Sequence, residues 1–113
     1  MAEAEVIKAI KMTEEELLAK VIKALGLTET HHKDIIEPFF NDVKFNLFDG
    51  GVKSNVILSS ASVGVFIRGV SDLWNYGSGG ASLSPYYKER VIQLATSNVE
   101  VIEAEEVAEN GQL

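Results

Sequence analysis

Leu18, Val21, Ile22 and Leu25 recur every three or four residues, a spacing that gathers them on one face of a 3.6-residue period and predicts a helix. Thr13-Glu14-Glu15-Glu16 precedes them as a capping box: the Thr hydroxyl accepts from the first turn, Glu16 reaches back, and the acids suit the positive helix end. Gly26 stands where a left-handed residue ends a helix, so the first element is read as 14–25. Thr28 or Thr30 caps a second helix over 30–48, with Ile36, Phe40, Val43 and Leu47 as its stripe and Asp49-Gly50-Gly51 as its stop. Pro38 falls inside that stripe and predicts one kinked helix, because it removes an N–H and disfavours helical geometry at Glu37.

The third segment, 60–76, places Val63, Phe66, Ile67, Val70 and Trp74 on one face. A strand over Val63 to Val70 is the competing reading. Gly64 and Gly69 weaken either, but the helical spacing continues to Trp74 and decides for a helix whose glycines admit a close neighbour. Ser84-Pro85 opens a fourth helix over 85–96, an N-cap followed by proline at the first helical position, with Tyr87, Val91, Leu94 and Ala95 facing inward. Between them Gly77-Ser78-Gly79-Gly80-Ala81-Ser82 reads as a flexible loop. The closing VEVIEAEEVAENGQL intersperses aliphatic residues with Glu and is read as unfolded until something binds it. The expectation is an all-α fold, a small bundle of about four helices with flexible loops and a disordered acidic C-terminal tail. Residues 1–98 form the helical domain and 99–113 the tail, and Leu25, Phe40, Val43, Ile67, Val70, Trp74 and Val91 form the core.

Composition narrows what such a bundle does. A chain of 113 residues with 46% hydrophobic and 24% charged residues supports one soluble domain. No apolar run approaches the roughly 18 residues that span a bilayer, and MAEAEVIKAIK does not resemble a signal peptide, so no membrane association is expected. The absence of cysteine excludes disulfides and thiolate metal sites and suits a reducing compartment. The net charge is −7, and Val99 to Leu113 carries five Glu with no Lys or Arg, leaving −2 for the rest. Tight DNA binding by phosphate neutralisation needs clustered cations that are not there.

Chemistry-bearing residues are sparse. His31 and His32 are adjacent and therefore point about 100° apart on a helix, a poor metal pair; a polar, solvated first turn is the reading adopted. Ser59, Ser60 and Ser62 lack a nucleophile elbow or a following S-x-x-K and read as helix caps. The Gly-rich loop lacks the lysine of a phosphate-binding loop. Trp74, Tyr76, Tyr86 and Tyr87 flank that loop; Trp74 continues a core stripe, and Tyr86 is the better exposed contact. No catalytic, cofactor-binding or metal residue is assigned.

The order of features, and above all the segment VSDLWNYGSGGASLSPYYKERVIQLATSN with its Asp72-x-Trp74-Asn75, Gly/Ser loop and closing Gln93-Leu94, resembles the head-tail connector (adaptor) proteins of tailed phages and related prophages. The resemblance spans roughly Leu17 to Ser97 and departs from the pattern at Pro38 and at the two glycines of the third helix. It implies a non-enzymatic structural subunit of the virion neck, assembled in the host cytoplasm. There a homo-oligomeric, typically twelvefold ring lies beneath the portal protein, lets DNA pass through its lumen without specific binding, and receives a downstream stopper or tail-completion protein. On that reading Gly77, Gly79, Gly80 and Tyr86 contact the neighbouring subunit, and Val99, Val101 and Ile102 anchor the tail on the portal. The alternatives are a small helical regulatory or nucleic-acid-associated protein, for which Arg68, Lys88 and Arg90 make a thin basic surface, and a metal-dependent enzyme built around His31.

Overall fold

The structure, a computed structural model, describes residues 6–76 and 83–103. Its elements run β1 (Val6–Ile10), α1 (Glu14–Ala24), α2 (Glu29–Asp49), the short α3 (Ser54–Ile57), a 3-10 turn (Ser60–Ser62), α4 (Val63–Tyr76), α5 (Pro85–Thr96) and β2 (Asn98–Ile102).

The local signals for α1 and α5 are realised at their starts. The Thr13 hydroxyl accepts from the Glu16 amide while the Glu16 carboxylate accepts from the Thr13 amide. Hydrogen bonding from Thr13, first through its backbone N–H and then through its side chain, holds the Glu16 carboxyl below the usual carboxylate range. Gly26 follows at φ +76°, a conformation that costs glycine little. Ser84 caps α5 by accepting from the Tyr87 amide at 3.1 Å, with Pro85 at the first helical position. In α2 the chain continues helically through Pro38, which is exposed, so water is available to the carbonyl that its missing N–H leaves unpaired.

Ile36, Phe40, Val43 and Leu47 of α2 are buried against Leu17, Leu18, Val21 and Ile22 of α1 and against Val65, Phe66 and Val70 of α4. At the centre the rings of Phe40 and Phe66 stack with centroids 4.5 Å apart. Of the expected core, Phe40, Val43, Val70 and Val91 are buried, whereas Leu25, Ile67 and Trp74 are only partly buried at its margin. Leu25 is the residue that ends α1, and Trp74 lies in the last turn of α4, edge-on to Phe39. The stripe extrapolated to the helix ends runs out of opposing surface there.

Three expectations are corrected. The fold is mostly helical but not purely all-α, because β1 and β2 pair in parallel from Val6↔Asn98 to Ile10↔Ile102. The segment after Asn98 does not begin as a disordered tail: Val99, Val101 and Ile102 lie in β2, and the side chains of Val99 and Val101 pack against the core. A strand obtains its hydrogen bonds from another chain segment, and that segment here is more than eighty residues away. The whole helical body is the crossover between the two strands. Residues 104–113 of the expected tail and the loop 77–82 lie outside the described residues. The segment expected to be one helix over 60–76 begins as the 3-10 turn, preceded by α3, which was not anticipated.

Candidate interaction surfaces

The junction of α4 and α5 gives Asp72 of the DLWN segment a physical role. Asp72, 5% exposed, accepts from the Ser84 amide at 3.1 Å, and its other oxygen lies 3.5 Å from the Arg68 Nε. A carboxylate thus sits at the N-terminal end of α5, where the helix dipole favours it, and ties the start of α5 to the third turn of α4. The guanidinium of Arg68 continues over the ring of Tyr86 at 5.1 Å, within cation–π reach. Tyr87 turns the other way, fully buried, and donates its hydroxyl to Asn46 Oδ1 at 2.9 Å. Burial, helped by the Asp72 charge, pushes its phenol well above the usual range. Gly69 makes the space: a Cβ there would stand 2.7 Å from Tyr87 Cε1 and 2.8 Å from Val43 Cγ2.

The second feature is an apolar surface on α2. Phe45 and Phe48 are 69% and 63% exposed and, three residues apart, neighbour each other on the helix surface. They border a groove of about 400 Å³ whose other walls include Ile57 and Leu58, with the Lys44–Glu14 ion pair at its rim. Sequence reasoning passed over these residues, although they lie off the stripe Ile36, Phe40, Val43 and Leu47, which already marks them as outward-facing. A second groove of about 260 Å³ lies between the sheet and α5, lined by residues that include Ile7, Val99, Arg90 and Leu94. The two grooves share no residue.

The expected contact residues are not gathered into one site. Tyr86 is 57% exposed in the first turn of α5, and Val99, Val101 and Ile102 follow the other end of that helix, roughly 18 Å away at 1.5 Å per residue. Gly77, Gly79 and Gly80 lie outside the described residues, as does the side chain of Tyr76. His32 Nδ1 is 3.2 Å from both the amide and the carbonyl of Thr28, so the imidazole folds back onto the backbone at the start of α2, where the Thr28 hydroxyl makes no cap bond. His31 is exposed beside it, and among the described residues no three His, Cys, Asp or Glu side chains converge to hold a metal ion. The three serines serve the backbone: Ser59 donates to the Val56 carbonyl at 2.6 Å, Ser62 to the Ile57 carbonyl at 2.5 Å, and Ser60 accepts from the Ile10 amide at 2.9 Å. Comparison of the chain with protein-family models, with curated proteins and with solved structures gives no match in any of the three.

Proposed function

We propose that this chain is a structural, non-enzymatic subunit of a tailed-phage neck. In this role it is a head-tail connector whose copies assemble head to tail into a ring below the portal protein and extend the DNA channel toward a stopper or tail-completion protein. The observation that carries the reading is the exposed Phe45–Phe48 surface with its groove, set on elements different from those that line the groove beside α5. A ring needs a heterologous contact, in which one face of a subunit meets a different face of the next, and two unlike surfaces on one small body supply that requirement. The net charge of −7 fits a lumen along which DNA slides, since phosphate attraction is what makes such contacts tight. The resemblance of residues 70–98 to connector proteins points the same way.

Solution mass across a concentration series, followed by negative-stain imaging, tests the reading. The expected result is a concentration-dependent closed ring, weakened by the double substitution Phe45→Ser, Phe48→Ser while the helical circular dichroism persists. A chain that stays monomeric throughout the series overturns it.

A further inference from the structure

A parallel ladder of two strands is an incomplete object: parallel sheets are ordinarily covered, and an open strand edge is a template for another chain. The hydrogen bond from the Lys11 amide to the Ile102 carbonyl, 2.8 Å, sets the phase of the ladder between β1 and β2. Since alternate residues of a strand turn both backbone groups to the same side, Ile7, Ala9 and Lys11 face β2, and Val6, Lys8 and Ile10 face away. The Ile10 amide agrees, being bonded to Ser60 Oγ, and Met12, two residues on, donates to the Leu58 carbonyl. On β2 the same alternation turns Val99 and Val101 outward. Among the described residues, Val6 and Lys8 on one edge and Val99 and Val101 on the other therefore have backbone groups with no strand beside them. Val6 and Ile7 are also 51% and 47% exposed.

Charge selects what completes this sheet. Every ionic residue in the pairing stretch of β1 is basic, Lys8 and Lys11, and every one in β2 and the residue after it is acidic, Glu100 and Glu103. Within one copy Lys8 is in register with Glu100, and Lys11 pairs with Glu103 at 3.6 Å. A symmetric contact between two β2 edges would set Glu against Glu, which is destabilising for directly opposed strands, and would be antiparallel. Cyclic symmetry instead keeps the strands of every copy pointing the same way along the ring axis and brings an acidic edge to a basic one.

We infer that the outer edge of β2 in one copy pairs in parallel with the outer edge of β1 in the next copy, so that the two-stranded sheets join around the ring. The inference rests on the reading that copies of this chain assemble head to tail, and it adds a strand-edge contact to the one made by the Phe45–Phe48 surface.

The chain has no cysteine, so two single-cysteine variants, Lys8→Cys and Glu100→Cys, report the contact without internal cross-linking. Mixed and mildly oxidised, they are expected to give a disulfide-linked dimer on a denaturing gel that neither variant gives alone. Val101→Pro removes an outward-facing amide together with a side chain at the margin of the core, and is expected to keep the helical circular dichroism while the solution mass falls to that of the 12.3 kDa chain. A disulfide dimer from Glu100→Cys alone overturns the head-to-tail pairing in favour of a symmetric one. An oligomer that shows no mixed disulfide and survives Val101→Pro overturns the edge contact and leaves the ring reading standing. A wild-type chain that is monomeric at every concentration overturns the ring reading and this contact with it.

Discussion

Phe40 and Phe48 belong to the same helix and differ in everything but chemistry. Phe40 stacks on Phe66 at the centre of the bundle, enclosed by α1 and α4; Phe48 stands in solvent with Phe45 beside a groove. The terminal sheet resembles the second region, since its faces and edges are only partly covered by its own chain. The contrast separates two tasks. The inner face of α2 is covered by the chain's own helices, whereas the outer face and the strands leave apolar surface and backbone groups in water.

The sharpest way to break this contrast is to truncate one ring from each region. Phe66→Ala leaves a cavity among buried neighbours and should cost about 3–5 kcal/mol, read as the shift of a urea unfolding midpoint at constant slope. Phe48→Ala should stay within about 0.5 kcal/mol, as for other exposed positions, while weakening self-association. Equal losses of stability would mean that Phe48 is part of the core after all.

A smaller effect distinguishes the two glycines of α4. Gly69→Ala drives a methyl into Tyr87 and Val43, both buried, and overpacking of this kind costs about 1–3 kcal/mol, enough to outweigh the helix-propensity gain of up to about 1 kcal/mol. Gly64→Ala meets nothing within 4 Å and should be neutral to stabilising by at most about 1 kcal/mol. Opposite signs in the two melting temperatures are therefore expected from one substitution made five residues apart.

The smallest effect probes the cap of α1. Thr13→Ala should cost about 1 kcal/mol. The Glu16 carboxyl has a lowered folded-state pKa because it accepts bonds from Thr13. Its contribution is therefore present above the ordinary carboxylate range and is lost as pH falls through the folded value. Glu16→Gln keeps an acceptor but loses the charge, so its stability difference from wild type should shrink on acidification; a difference that grows toward low pH would reverse the assignment.

Much of the helical body was legible in the residues themselves. The Thr13–Glu16 box, Gly26 and Ser84-Pro85 act within four residues of where they stand, and a helix satisfies its own backbone within that range. The inward stripe of α2 has the same origin, and three of its members, Ile36, Val43 and Leu47, have no exposed surface. The Pro38 helix was legible too, down to its stop at Asp49.

What the tertiary structure alone decided concerns groups whose partners are remote in sequence. The aliphatic–Glu alternation of Val99 to Ile102 satisfies a strand period as well as an unfolded segment, and only the arrival of β1 distinguishes the two. How deep Tyr87 sits depends on Gly69 and Asn46 from two other helices, and Ser60 serves Ile10 across fifty residues. Helix signals are read locally because their hydrogen bonds close locally. Strand pairing, the depth of a buried ring and the exposure of an apolar face depend on which surfaces the folded chain brings opposite one another.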